Sequence, residues 1–289
     1  MQEFLFAAPG SLGPTIVAAV LGLLLGSFLN VVIYRMPKMM EREFENACAE
    51  NCGKEPVHTD IFTLSTPRSA CPCCGHQIAW YENIPVISYL FLRGKCKGCK
   101  AHISLRYPAI ELLAGALSAL MVWRFGSGWA GMGAMAFGLL IIAMTFIDLD
   151  TMYLPDDLTY SLLWLGLLVN LTGAFAPLQN AVIGAVAGYM ALWSVNELYK
   201  LVRKRDGMGG GDLKLLGALG AWMGWQMLPA IILLSSVVGA LVGIAMIVFK
   251  NHGREQPIPF GPYLTGAGLL GLLYGPEITV LMQAFVHPQ

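Results

Sequence analysis

From Leu158 to Asn196, and again from Leu215 to Phe249, the chain carries no Asp, Glu, Lys or Arg. Roughly twenty apolar residues cross a bilayer core of ~30 Å, so each run has room for two spanning helices. Within lipid a helix satisfies all of its own backbone donors and acceptors. Composition agrees with that reading: 56% of the 289 residues are hydrophobic and only 12% are charged, against about 25% charged in soluble domains. The expected fold is an all-α polytopic membrane protein. A soluble protein with a very buried helical core is the rejected alternative.

Pro and Gly breaks divide the chain. A first transmembrane helix rich in small residues is expected over 12–34, ending at Arg35. Residues 35–107 form the one long polar segment and hold ten of the eighteen basic residues. Beyond Pro108 the pattern predicts helices near 109–125, 129–147, 157–174, 179–199, 212–225, 228–249 and 262–285. That makes about eight spans: one helix, a polar loop over 35–107, and a seven-helix membrane domain over 108–286.

Basic residues beside spans mark the cytoplasmic side. Eight helices starting outside place the loop, Lys200, Arg203, Lys204, Arg205, Lys214, Lys250 and Arg254 inside, and leave only Arg124 outside. The N-terminus has no cationic stretch before its apolar run, so no cleaved signal peptide is expected. A net charge of zero says nothing about nucleic acid, and with the basic residues not gathered on one free face no nucleic-acid partner is expected. A transporter would carry paired broken helices or inverted repeats, and neither is evident.

Within the polar loop, Cys71-Pro-Cys-Cys74 and Cys96-Lys-Gly-Cys99 form two C-x-x-C pairs separated by 21 residues. Four thiolates so spaced suit tetrahedral zinc, and metal binding can supply folding free energy to a loop poor in apolar residues. The metal ligands are expected to be Cys71, Cys74, Cys96 and Cys99, in a cytoplasmic zinc-ribbon-like module. Cys73 is a surplus thiol that could replace Cys71 or Cys74. Cys48 and Cys52 read as free thiols, and the stretch from Met39 to Asp60 has no evident purpose.

Charge is costly and usually functional among membrane spans. Asp148 ends one apolar helix. Asp212 begins another, behind the glycine-rich turn Gly207-Met208-Gly209-Gly210-Gly211. The topology puts both on one side of the membrane. Close carboxylates share a proton and divide into acid and base, which activates water against a peptide carbonyl. Gly207, Gly209, Gly210 and Gly211 would let backbone approach an extended peptide and permit positive φ angles. Capping accounts for Asp156 and Asp157. Glu111, one turn into its helix, is a support residue or an interfacial anchor.

At these residues the chain resembles the type IV prepilin peptidases, the leader peptidase and N-methyltransferase enzymes of bacterial pili and type II secretion. The resemblance runs through Gly26-Ser27-Phe28-Leu29-Asn30, both cysteine pairs, Glu82-Asn83-Ile84-Pro85 and Arg106-Tyr107-Pro108 with Glu111. It continues at Asp148 with Leu154-Pro155-Asp156, the glycine-Asp212 stretch and Pro259-Phe260-Gly261-Pro262. It implies an inner-membrane aspartyl endopeptidase with Asp148 and Asp212 as catalytic pair and Asp150 as the nearest rival to the first. The implied substrates are prepilins and pseudopilins with a positively charged leader, cut on the cytoplasmic side. The implied second step is methylation of the new N-terminus by S-adenosylmethionine, for which the sequence offers no identifiable pocket. A peptidase lacking the methyl-transfer step and a non-catalytic component of a secretion machine are the alternatives.

Overall fold

A computed structural model describes residues 8–204, 207–250 and 258–286. Arg205 and Arg254, used in the charge count, lie outside them. The helices are α1 (Leu12–Asn51), α2 (Ile87–Phe91), α3 (Arg106–Phe125), α4 (Trp129–Thr151), α5 (Asp156–Val169), α6 (Leu178–Arg203), α7 (Gly210–Met223), α8 (Leu228–Lys250) and α9 (Gly261–Val286). Among the described residues β structure is confined to two isolated bridges. The all-helical expectation holds. Among the described residues, six helices (α1, α3, α4, α6, α8 and α9) are long and apolar enough to cross a membrane. The other two expected spans, α5 and α7, have 14 residues each, about 21 Å at 1.5 Å per residue.

The chain divides into two units, Met1–Ser127 with Ala134–Ala143, and Gly128–Gly133 with Met144–Gln289. In the first, α1 and α3 pack antiparallel on small residues. A Cβ on Gly26 would lie 2.8 Å from the Ala114 Cβ and 2.9 Å from the Glu111 Cα, so only glycine permits this approach. The Asn30 amide donates to the Tyr107 carbonyl at 3.2 Å.

One boundary departs from expectation. α1 does not stop near Tyr34 but runs through Pro37 to Asn51. Residues 36–51 are rich in Met, Glu, Lys, Arg and Ala, all good helix formers. Charge marks where an apolar span ends, not where a helix ends. The chain then folds back along this extension. Asn46 exchanges two hydrogen bonds with the His58 backbone (2.9 and 2.8 Å), and Arg42 pairs with Asp60 at 2.8 Å. The buried Arg35 donates to the Thr63 and Pro67 carbonyls at 2.9 and 2.6 Å. The stretch from Met39 to Asp60 is therefore a helical arm and its return, with Cys48 and Cys52 exposed.

In the second unit α5 and α7 run parallel. Their first turns are joined by Lys214, which reaches both Asp156 oxygens at 2.6 Å. Their far ends are joined by Asn170, which donates to the Ala221 and Trp222 carbonyls and accepts from the Phe175 and Ala176 amides. All four bonding positions of this fully buried amide are used. The Trp222 indole donates to the Leu162 carbonyl at 2.8 Å and fills the space that Gly166 leaves. α6 packs antiparallel to α7 by direct backbone contact at Gly184 with Gly220 and at Gly188 with Leu216. α9 runs alongside α7, with Gly268 against Leu219 and Gly271 against Met223.

Candidate active site

This topology gathers the start of α5, the start of α7, the start of α9 and the last turns of α4 at one end of the second unit. Three helix N-termini bring unsatisfied N–H groups and partial positive charge to that end. Asp148 and Asp212 are its buried carboxylates, 4% and 9% exposed. Asp150, the rival to Asp148, is exposed on the last turn of α4.

The α4 helix closes with Met152 in the left-handed region (φ 55°), its N–H returning to the Asp148 carbonyl at 2.8 Å. That turn sends Leu154 inward, where it is 4% exposed. Leu154 is the wedge of the site. A Cβ on Gly211 would lie 2.6 Å from the Leu154 Cβ, and a Cβ on Gly261 would lie 3.2 Å from its Cδ1. The starts of α7 and α9 thus press on one side chain. The Gly261 N–H donates to the Asp148 carboxylate (Oδ2) at 2.9 Å, and a Cβ there would stand 2.5 Å from the same oxygen. Gly211, the neighbour of Asp212, and Gly261, the donor to Asp148, thus both abut Leu154, which brings the two buried carboxylates to the same end of the unit.

The glycines of the turn divide by role. Gly211 abuts Leu154, and Gly207 abuts the Tyr199 ring, where a Cβ would lie 2.6 Å from Cδ1. The Gly207 and Met208 amides both donate to the Asn196 side-chain oxygen at 3.0 and 3.1 Å. Gly209 caps α7 in an extended conformation, and Gly210 has nothing within 4 Å of a would-be Cβ. None of the four has a positive φ, so the conformational part of the expectation is corrected: the turn needs glycine for close approach. Asp156 also does more than cap its helix, because it holds Lys214. A groove of about 380 Å³ bordered by Tyr160, Val186, Tyr189 and Lys214 opens beside α7.

Glu111 belongs to the first unit. Buried in α3, its carboxylate accepts the Val86 N–H at 2.8 Å and a hydrogen bond from Ser27.

The four cysteine sulfurs of Cys71, Cys74, Cys96 and Cys99 lie within 4.8 Å of one another. The Cys71–Cys99 and Cys74–Cys96 separations are 3.8 and 4.0 Å, and a tetrahedral site with Zn–S bonds of ~2.3 Å has sulfur–sulfur edges of about 3.8 Å. The two knuckles are superposable in pattern. Cys71 and Cys96 donate to the His76 and Ala101 carbonyls, and Gly75 and Lys100 return to the Cys71 and Cys96 carbonyls. Cys73 lies outside the cluster of four.

The Cys73 and Cys74 amides pull the Cys71 thiol down to about 6. At Cys74 the His76 amide favours the thiolate, yet burial and the thiols of Cys99, Cys71 and Cys96 together push it up to about 11. Four thiols this close resist ionising together, and a cation among them removes that penalty. The cluster can hold a metal ion. Glu82 braces it: one carboxylate oxygen accepts from the Ala79 amide and the His76 ring at 3.1 and 3.0 Å, and the other forms an ion pair with Lys97 at 3.1 Å, so linking both knuckles. The Ala79 amide outweighs burial and, with His76 and Lys97, holds its carboxyl at about 2.

Two family models match the chain: Bacterial Peptidase A24 N-terminal domain over residues 20–125 and Type IV leader peptidase family over residues 135–244. Among curated proteins it is similar to three called prepilin leader peptidase/N-methyltransferase. The one from Stutzerimonas stutzeri is 51% identical over 284 residues, 98% of each chain. That from Pseudomonas aeruginosa is 52% identical over 260 residues, 90% of each, and that from Aeromonas salmonicida is 51% identical over 260, 89% of each. No solved structure matches. With half of its residues shared over nearly its whole length, and with a buried aspartate pair inside the second matched segment, the chain belongs to the type IV leader peptidase family.

Proposed function

We propose that the protein is a membrane aspartyl endopeptidase that removes the basic leader of type IV prepilins and type II secretion pseudopilins and then methylates the new N-terminus. The observation that carries this reading is the burial of Asp148 and Asp212 at one end of the second unit, between helix starts that only glycine lets approach. One aspartate takes a proton from water, whose oxygen attacks the scissile carbonyl, while the other gives its proton to the carbonyl oxygen. Collapse of the tetrahedral species returns a proton to the leaving amine and restores the shared proton. No side chain becomes covalently bound.

The remaining parts are of the same standing. The site and residues 35–107 face the cytoplasm of a bacterium with an inner membrane, and eight segments cross that membrane. The chain groups as a first span over 12–34, carried by the start of α1, the cysteine loop over 35–107, and the membrane domain over 108–286. The cysteine cluster takes zinc, a structural ion. S-adenosylmethionine supplies the methyl group; G-x-G-x-x-G occurs at Gly126–Gly131 and Gly266–Gly271, but between two helices and inside α9 rather than after a strand, and no residue is assigned to it.

The test uses the full chain in lipid nanodiscs with a purified prepilin and S-adenosylmethionine, read by intact mass. The expected products are free leader and a mature chain one methyl group heavier. An intact prepilin overturns the peptidase reading, and a mature chain without added methyl overturns the methyltransferase half.

A further inference from the structure

The short helix between the cysteine knuckles leaves an apolar face uncovered. Ile87, Leu90 and Phe91 are 52%, 67% and 84% exposed. Their spacing of i, i+3 and i+4 puts them on one side of α2. The other side is held inward, where the Tyr89 hydroxyl donates to the Ile103 carbonyl at 3.2 Å and the ring lies against Gly94. Leu105, just before α3, is also exposed. A clustered patch of this kind marks an interaction surface.

The position of α2 along α3 identifies what covers it. α2 starts directly after Val86, whose N–H is fixed on Glu111 at 2.8 Å. Val86 is held at φ 61°, a conformation a β-branched residue rarely adopts, so the surrounding contacts fix this junction. Glu111 is the sixth residue of α3, about 7.5 Å along the axis from Arg106, and helical side chains lean back toward the N-terminus. The start of α2 is therefore roughly one turn inside the end of a candidate span. A bilayer's headgroup zone adds only about 5–7 Å beyond each side of the core. Charge points the same way: Asn83 to Leu105 contains Arg93, Lys95, Lys97 and Lys100 and no acidic residue, and all four cations are exposed.

We propose that α2 is an interfacial anchor. It lies at the headgroup–acyl boundary of the leaflet where α1 and α3 leave the membrane, with Ile87, Leu90 and Phe91 among the acyl chains and Arg93, Lys95 and Lys100 on anionic headgroups. The cysteine module is thereby held flat against the membrane surface. This rests on membrane embedding alone and stands or falls apart from the peptidase reading.

The test places the full chain in nanodiscs of phosphatidylcholine, with and without phosphatidylglycerol, doped with a phospholipid carrying a diazirine on its acyl chain. After irradiation, adducts are mapped by mass spectrometry. Residues 87–91 are expected to label to the level of the exposed α3 residues Leu112 and Leu113, more strongly with phosphatidylglycerol, while residues 96–100 stay unlabelled. The double substitution Leu90→Asp, Phe91→Asp is expected to remove the label from α2 and leave that on α3. Labelled α3 with unlabelled residues 87–91 overturns the proposal, as do cross-links from α2 to a second copy in place of lipid. Equal labelling in both lipids overturns the role given to the basic residues.

Discussion

A methyl group added at Gly261 has nowhere to go but into the Asp148 carboxylate, 2.5 Å away. Gly261→Ala is therefore expected to displace the carboxylate or the start of α9, and a shift of about 1 Å at a catalytic group can cost ~10²-fold in rate. Gly211→Ala meets the Leu154 Cβ at 2.6 Å and should lose activity similarly. Gly210→Ala meets nothing within 4 Å; it should keep full cleavage and melt no lower, since alanine favours helix over glycine by roughly 0.5–1 kcal/mol. Cleavage rates and melting temperatures of the three variants decide this. The aspartates themselves were legible from charge alone, as carboxylates at the edges of uncharged runs. The Gly261 donor and the Leu154 wedge were not, because both act through contacts across 57 to 113 positions that no local pattern records. The full satisfaction of Asn170 escaped for the same reason.

At the scale of elements, the cysteine knuckles make the sharpest prediction. Cys71→Ser or Cys96→Ser should release bound metal from freshly purified protein, whereas Cys73→Ser should retain it, as read by elemental analysis. The pairing of α5 with α7 has a smaller signature. Lys214→Met removes a pair whose side chains are 25% and 44% exposed, so a loss of no more than ~1 kcal/mol is expected. Most helix boundaries were readable because Pro and Gly punctuate the chain. α1 outruns its expected end because its last two-fifths are helical by propensity while polar in composition, and only the return of residues 58–67 along it shows what that length supports.

For the whole molecule, the count of crossings rests on α5 and α7, both shorter than a bilayer core. They run parallel from the site end, and each is followed by a 3-10 turn that lengthens it, Asn170–Thr172 and Trp225–Met227. Both should therefore cross in the same sense. Reporter fusions after Gly126 and after Phe175 are expected to report the periplasm, and one after Lys204 the cytoplasm; a cytoplasmic signal at Phe175 would remove two spans. Basic-residue placement carries the proposed sidedness, but charge cannot tell a short crossing from a helix that stops within the membrane.

The central claim is that Asp148 and Asp212 act as one catalytic pair. Asp148→Asn and Asp212→Asn, each purified in nanodiscs and shown by circular dichroism to remain folded, should each lower single-turnover prepilin cleavage by at least ~10²-fold, and the double substitution should add little. Normal cleavage by either folded single variant would contradict the account.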